Sequence, residues 1–277
     1  MPEGDTIFRA AAALHRALAG DVVTGFDTAL APLARVHDDA PVTGRTVEAC
    51  ESIGKHLLIR FSGDLVLRTH MRMSGSWHLY RPGERWQRRT SSMRVRIDTA
   101  TWVAVAFDVP VAEFLTARTL ARSRVMTTLG PDLLSDGFDR EDALARLSGA
   151  GARPIADVLL DQRVVAGIGN VFKSEVLFLC GIHPDRHASR LTADEFARIV
   201  DIAVPLMRAN TGAAGSSGIV TYRGLRRTTR QASGEENLWV YGRGGKPCRR
   251  CGTTIRMAKR GPDARSTYWC PVCQPEL

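Results

Sequence analysis

The chain has 277 residues, of which 44% are hydrophobic, and this is enough to form the cores of two modest domains. It contains no run of about 18 apolar residues and no signal-peptide pattern, so we expect a cytoplasmic protein without a membrane span. The net charge of +9 and the pI of about 9.7 favour a phosphate-rich partner such as nucleic acid, although charge alone also fits a basic soluble protein.

The first predicted element is an amphipathic helix over residues 7–19, where apolar residues recur at helical spacing. Asp5 or Thr6 is the expected N-cap of this helix. The helix therefore starts just after Pro2 and Glu3, and the positive end of its dipole faces them.

Between about residue 22 and residue 116, short segments rich in β-branched and aromatic residues alternate with Gly, Pro, Asp or Ser. The predicted strands are 22–26, 46–53, 56–61, 64–70, 76–80, 93–98, 102–107 and 111–116. This spacing indicates a β-sandwich or barrel in the N-terminal half.

Beyond Leu129 the pattern becomes helical. The predicted helices are 139–147, 154–162, 169–180 and 192–209. The last begins with a capping box, Thr192 and Glu195, and Pro205 is expected to kink it. Residues 211–236, rich in Gly, Ser, Thr and Arg, predict a long mobile loop, and residues 239–241 a short strand.

Four of the six cysteines form two CxxC pairs near the C-terminus. They are Cys248, Cys251, Cys270 and Cys273. In a cytosolic chain this pattern favours a metal site over disulfides, and four thiolates with no open position predict a structural zinc ion. The segment between the pairs predicts a β-hairpin with a turn at 261–263, whereas Cys50 and Cys180 are expected to be inert core residues.

Two further motifs suit phosphate binding. Gly167-Ile-Gly169-Asn170 opens a helix, where exposed backbone N–H groups and the helix dipole favour an anion. Gly54-Lys55 lies in a predicted hairpin turn and could reach a phosphate. An ordinary helix–helix turn and a solvated lysine remain open alternatives for the two motifs taken singly.

The N-terminus offers a nucleophile. Removal of Met1 leaves Pro2 with a secondary amine, and an α-amino group has a pKa of about 8, against about 10 for lysine. Such an amine can condense with a sugar aldehyde to give an iminium ion, and the adjacent Glu3 can transfer protons. Taken alone, the two residues are also an ordinary helix leader.

The combination of these motifs, in this order, resembles the formamidopyrimidine-DNA glycosylase and endonuclease VIII family over the whole chain. The resemblance implies an α+β fold with two domains. An N-terminal β-sandwich with a leading helix (1–128) is followed by a helical domain with a helix–two-turn–helix motif (129–247). A zinc-finger β-hairpin (248–277) completes the chain.

The resemblance also implies a reaction. Pro2 is expected to be the nucleophile, Glu3 the acid that helps to displace the base and open the sugar, and Lys55 the holder of a phosphate beside the lesion. Attack at C1′ releases the base and gives an iminium, after which β- and δ-elimination cut the strand. The chain is thus expected to be a base-excision-repair glycosylase and abasic-site lyase.

The expected partner is damaged double-stranded DNA, bound by a monomeric, nucleoid-associated enzyme. By resemblance, Asn170 and Arg265 contact phosphates around the flipped nucleotide, and Met73 fills the space that the base leaves. Zn²⁺ is expected as the single structural cofactor.

Two departures from the family pattern bear on the lesion. Thr6 stands where many members have a second Glu, and residues 107–110 contain no counterpart of the Arg and Phe with which 8-oxoguanine enzymes fill the DNA gap. Gly4 and this absence favour the endonuclease VIII branch, which acts on oxidised pyrimidines. An 8-oxoguanine or formamidopyrimidine glycosylase remains the alternative within the family.

Three rival functions stay open on the sequence. A non-catalytic zinc-ribbon DNA-binding protein explains the charge and the cysteines, but it leaves the N-terminal motif and Gly54-Lys55 to coincidence. A zinc hydrolase is disfavoured because four cysteines close the site and no HExxH motif is present. An RNA-binding protein is the third.

Overall fold

The computed structural model describes residues 2–212, 219–222 and 237–276. The chain divides into two compact units, residues 1–128 and residues 129–277. Most of the loop predicted at 211–236 lies outside the described residues. Within the described part, no helix combines the length and the apolar character that a membrane span requires.

The first unit is a β-sandwich with a leading helix, as predicted. Its helices are α1 (Gly4–Leu18), α2 (Ala31–Asp39), α3 (Ala117–Arg122) and α4 (Arg124–Thr127). Its strands are β1 (Gly25–Thr28), β2 (Val47–Ile53), β3 (His56–Phe61), β4 (Leu65–His70), β5 (Ser76–Tyr80), β6 (Met93–Asp98), β7 (Val103–Phe107) and β8 (Val111–Leu115). Seven of the eight predicted strands are present, and the predicted strand 22–26 shares only its last two residues with β1. Helices α2, α3 and α4 were not predicted.

The strands form two antiparallel sheets, with the orders β1-β6-β7-β5 and β2-β3-β4-β8. A single buried cluster contains side chains from both sheets and from α1, including Leu14, Ile59 and Ile97. The core therefore lies between the sheets, and α1 packs on β2 and β3.

The start of α1 differs from the prediction. The helix begins at Gly4 with Glu3 at the N-cap, and no side chain caps it. Neither Asp5 nor Thr6 is the N-cap, because both lie within the first turn of the helix, where Asp5 is fully buried. The prediction was wrong because the pattern does not show that Asp5 faces inward.

Three loops lie at one end of the sandwich. Segment 71–75 joins β4 to β5, and segment 108–110 joins β7 to β8. Because β4 pairs with β8 and β5 with β7, both segments leave the sheets at the same end. The turn at 54–55 lies there too, since His56 pairs with His70 at the end of β4. We call these three loops the crossover end.

The second unit is helical and ends in a hairpin. It contains α5 (Arg140–Ser148), α6 (Ile155–Leu160), α7 (Asn170–Cys180), α8 (Ala193–Ala209), β9 (Arg256–Arg260) and β10 (Arg265–Trp269). The four predicted helices and the β-hairpin are confirmed. So is the capping box of α8, where Glu195 N donates to Thr192 Oγ1 at 3.2 Å. The helix continues through Pro205.

The strand predicted at 239–241 is wrong. These residues form bends and a turn, and their backbone N–H groups donate to a buried carboxylate, that of Glu175, instead of to a neighbouring strand.

Candidate functional site

Pro2 and Glu3 lie at the beginning of α1. Pro2 is half-buried and Glu3 is fully buried, and the carbonyl of Glu3 accepts the N–H of Ile7 at 3.0 Å. Both residues thus precede the positive end of the helix dipole, as predicted from the sequence.

The direction of α1 brings these two residues to the crossover end. Cys50 N donates to His15 Nδ1 at 3.2 Å, and Gly20 N donates to Val47 O at 2.9 Å. The helix therefore runs antiparallel to β2, and its N-terminus points toward the turn that follows β2. That turn carries Lys55.

Asp5 is an acidic group at this site that the sequence analysis treated only as a cap. Its side chain is fully buried, with Arg9 Nη2 at 3.4 Å from Oδ2 and Thr6 Oγ1 at 3.3 Å from Oδ1. Burial raises the pKa of Asp5, and the neighbouring Arg9 only partly opposes that effect. The chain lacks the second Glu at Thr6, but it has another carboxyl close to Glu3, the buried one of Asp5.

Lys55 is half-buried in a tight turn, where Gly54 adopts a φ of 58°. Two histidines adjoin this turn, with the ring centroids of His56 and His70 4.8 Å apart. Burial, followed by nearby positive charges, lowers the pKa of His56 to about 3 and that of His70 to about 4. Both rings are therefore neutral at physiological pH and act as hydrogen-bonding groups, not as cations.

A buried arginine supports the histidine pair. Arg68 Nη1 lies 3.2 Å from His56 Nδ1, and Arg68 Nη2 lies 2.6 Å from Glu113 Oε1. The sequence analysis missed this group because it joins three different strands. The only signal in the sequence was polar residues within otherwise apolar strands.

Met73 is 60% exposed, one of few large apolar side chains so exposed among the described residues. Its segment is a tight turn in which Gly75 N donates to Met71 O at 2.9 Å. A Cβ on Gly75 would lie 2.6 Å from that carbonyl oxygen, so glycine is required there. The turn therefore presents Met73 at the crossover end.

The neighbouring loop, 108–110, presents no aromatic side chain. Phe107 is fully buried, and Asp108 follows it with a φ of 51°. Arg88 reaches this loop from a different segment, with Nη1 3.2 Å from Asp108 Oδ2.

In the second unit, Asn170 is the first residue of α7 and is buried. Its Nδ2 donates to Ser266 O at 2.8 Å, and its Oδ1 accepts from Lys173 Nζ at 2.7 Å. Lys173 is fully buried and also donates to Thr267 Oγ1 at 2.8 Å. The side chain of Asn170 thus ties the helix start to β10, and Lys173 is a partner that the sequence analysis missed.

Glu175 makes a second tie, from α7 to the chain before the cysteines. Its fully buried carboxylate accepts the Thr221 hydroxyl and the N–H groups of Trp239, Val240 and Tyr241, the last three at 2.8, 2.9 and 2.8 Å. Burial raises the pKa of Glu175, while these donors oppose the rise. The carboxylate therefore fixes the chain that leads to the hairpin.

The four cysteines meet as predicted. Their Sγ atoms all lie within 4.8 Å of one another, with Cys248 and Cys273 at 3.9 Å and Cys251 and Cys270 at 3.4 Å. Tetrahedral zinc with bonds of about 2.3 Å needs sulfur atoms about 3.8 Å apart, so the cluster fits a four-coordinate site. Arg265 begins β10 and lies 3.3 Å from Asp263, one residue before the contact with Asn170.

The predicted site residues therefore fall into two groups. Pro2, Glu3, Lys55 and Met73 share the crossover end of the first unit. In the second unit, Asn170 contacts the strand that begins at Arg265, and the four cysteines adjoin the same hairpin.

Three family models match successive parts of the chain. The formamidopyrimidine-DNA glycosylase N-terminal domain matches residues 1–119, and the H2TH domain of the same glycosylase matches residues 129–221. The zinc finger found in FPG and IleRS matches residues 245–275.

Full-length relatives and a solved structure are also similar. Identity is 43% to a probable endonuclease 8 2 of Streptomyces coelicolor, over 99% of this chain and 94% of the relative. It is 37% to the DNA-(apurinic or apyrimidinic site) lyase Nei2 of Mycolicibacterium smegmatis, over 99% of each chain. A crystal structure of a Lactococcus lactis FPG mutant with Fapy-dG-containing DNA is 25% identical, with a TM-score of 0.82 over 99% of this chain and 100% of that one.

Proposed function

Because the chain belongs to the formamidopyrimidine-DNA glycosylase and endonuclease 8 family, we propose that it excises oxidised bases through a Schiff base on Pro2. The enzyme is a DNA glycosylase with abasic-site lyase activity. The observation that carries the proposal is the position of Pro2 and Glu3 at the start of α1, at the end of the sandwich that also bears Lys55 and Met73.

The amine of Pro2, freed by removal of Met1, attacks C1′ of the damaged nucleotide and the base departs with a proton. Glu3 assists by proton transfer at the leaving base and the ring oxygen of the sugar. The resulting iminium withdraws electrons, so loss of a proton from C2′ expels the 3′ phosphate. A second elimination then expels the 5′ phosphate.

The remaining predicted residues hold the DNA. Lys55, Asn170 and Arg265 contact phosphates around the nucleotide that has left the stack, and Met73 fills the vacated space. We assign the chemistry to residues 1–128, duplex binding to 129–247 and the zinc-bearing hairpin to 248–277. The partner is damaged double-stranded DNA, bound by a monomer.

One zinc ion held by Cys248, Cys251, Cys270 and Cys273 is structural in this proposal. When bound, it supplies folding energy to the hairpin and takes no part in the chemistry, because four thiolates leave no coordination position for water.

We propose oxidised pyrimidines as the preferred lesions. Phe107 is buried and Asp108 follows it, so loop 108–110 lacks the exposed Arg and Phe pair of the 8-oxoguanine enzymes. The alternative lesion within the family is 8-oxoguanine. The single-turnover rates of excision of thymine glycol and dihydrouracil should exceed the rate for 8-oxoguanine opposite cytosine. The reverse order moves the chain to the other branch.

Borohydride trapping on abasic and thymine glycol duplexes tests the nucleophile. The free enzyme should form a covalent adduct whose peptide maps to Pro2, and an extra residue before Pro2 should abolish it. Lys173 is unsuited as an alternative nucleophile because its ammonium is buried and hydrogen-bonded. A cross-link at Lys55, or equal trapping by the blocked enzyme, contradicts the mechanism.

A further inference from the structure

The positive charge of the chain is concentrated in one short segment of the first unit. Residues 81–96 contain six arginines and one glutamate, a net charge of +5 within a chain of net +9. The arginines are Arg81, Arg85, Arg88, Arg89, Arg94 and Arg96, and we call them the arginine surface.

The segment is anchored on the outer face of the β1-β6-β7-β5 sheet. Trp86 packs against Phe107, with ring centroids 5.5 Å apart, and against Tyr80 at 6.4 Å. These rings form a buried cluster with Val103 and Val105, separate from the core between the sheets. The position of the arginines is therefore set by packing and is not that of an unsupported loop.

Most of this charge is not neutralised. Among the described residues, four of the six arginines have no acidic partner: Arg81, Arg85, Arg89 and Arg94. Arg81 lies over the Trp102 ring at 3.7 Å, and Arg94 donates to backbone carbonyls, so both keep their full charge. The carboxylate of Glu84 accepts a backbone N–H, that of Arg81.

The arginine surface is continuous with the crossover end. Arg88 pairs with Asp108 at 3.2 Å, and Asp108 N donates to Ser92 O at 2.8 Å. The segment starts after Tyr80, which pairs with Val103 at the far end of the sheet, and reaches Met93, which pairs with Phe107 at the crossover end. It therefore spans the length of β5, whose five residues extend over about 16 Å. One strand of B-DNA presents about five phosphates over that length.

We propose that the arginine surface is a second DNA-binding site, which holds the sugar-phosphate backbone of duplex beyond the lesion. This inference rests on the proposed function for the identity of the duplex. Arginine binds phosphate oxygens in a bidentate manner, and the charge begins where the lesion is expected to lie. Among the described residues, no large apolar side chain of segment 81–96 is exposed, so the surface lacks the anchor that an acidic protein partner would need.

The test uses R85A/R89A, which removes two exposed arginines whose side chains make no ion pair or hydrogen bond in the described part of the chain. The matched control is R16A/R35A, which removes two exposed charges from α1 and α2 of the same unit. Affinity is measured on duplexes with a non-cleavable abasic analogue. One duplex just spans the lesion site, and the other extends by a helical turn, about 10 bp, on each side.

On the long duplex, R85A/R89A should bind about tenfold more weakly, and its slope of log affinity against log salt should be about 1.8 shallower, because about 0.9 is lost per phosphate contact. On the short duplex the variant should bind like the parent, and the control should match the parent on both. Equal losses on the two duplexes, or an equal loss in the control, overturn the proposal.

Binding of a polyglutamate peptide tests whether the arginine surface binds an acidic protein instead of DNA. If the parent binds the peptide tightly and R85A/R89A loses that binding while its DNA affinity is unchanged, the surface serves an acidic protein and the proposal is wrong. Trapping of the parent on the short duplex is run in parallel. Failure to trap contradicts the proposed chemistry, whereas the affinities on the non-cleavable analogue still test the arginine surface.

Discussion

At the scale of single residues, Asp5 is held where a charged carboxylate is unfavourable, since it is fully buried and Arg9 compensates it only at 3.4 Å. Its pKa is raised from the ordinary 3.8, so the destabilisation is absent below that pH and grows as the pH rises through the folded-state value. D5N should therefore be more stable than the parent at neutral pH, which would appear as a higher unfolding temperature, and the difference should be lost in acid.

The matched variant for D5N is R9M, which leaves the buried carboxylate without its cation and should lower the unfolding temperature at neutral pH. If D5N also slows borohydride trapping, Asp5 is retained for function at the expense of stability. A D5N protein that is less stable than the parent at every pH contradicts the assignment of a buried charge.

Substitutions of Pro2 and of Glu3 should affect base excision and abasic-site cleavage differently, because the two residues have different chemical roles. An abasic site has no base to expel, so E3Q should nearly abolish excision of thymine glycol while it retains much of the cleavage at a preformed abasic site. P2G should weaken both reactions, since a primary amine remains. Single-turnover rates on the two substrates measure the difference, and an equal loss on both substrates in E3Q argues against proton transfer to the base.

At the scale of elements, the buried ammonium of Lys173 joins α7 to the hairpin, beside the hydrogen bond from Asn170 to Ser266. K173M leaves Asn170 Oδ1 and Thr267 Oγ1 without this donor in a buried site, which should destabilise the second unit by about 3 kcal/mol. K259M removes the same charge from an exposed position of β9 and should leave the thermal unfolding of the protein unchanged. Equal unfolding temperatures for K173M and the parent would falsify the structural role of Lys173.

The sequence predicts those elements whose signals are local, and it misses those that lack such a signal or depend on distant residues. Strands β2 to β8 were found because two-residue alternation and turn residues are local signals. Helix α2 was missed because only Leu33 of its nine residues is buried, which leaves no apolar stripe. Residues 239–241 were misassigned because a residue 64 positions earlier, Glu175, binds their N–H groups.

The candidate site also combines features that local sequence patterns predict with contacts that they do not. The four cysteines and the N-terminal motif are sequence patterns, and the structure brings the cysteines together. The contacts of Arg68 with His56 and Glu113, and of Lys173 with Thr267, join residues 12, 45 and 94 positions apart, and no local pattern encodes such partners. The roles given to Pro2, Glu3, Lys55, Met73, Asn170 and Arg265 stay predictions.

At the scale of the whole molecule, the hairpin is a two-stranded sheet, which is marginally stable on its own. Zinc bound by the four thiolates should supply the free energy that keeps Arg265 and the partners of Asn170 in place. Removal of the metal should therefore destabilise the second unit and abolish tight DNA binding, while the first unit, with its separate core, should keep its own unfolding transition.

Two cysteine variants test this dependence. C251S should lose the metal, lower the unfolding temperature of the second unit and weaken DNA binding at least as much as chelation does. C180A removes a buried cysteine outside the cluster, whose pKa burial raises to about 12, and should keep one zinc per chain. Metal analysis, calorimetry and DNA affinity are compared for the two. A parent protein that contains no zinc, and whose DNA affinity a chelator leaves unchanged, contradicts a structural metal. The hairpin would then be held by protein contacts such as those with α7 and the ion pair of Arg260 with Asp185.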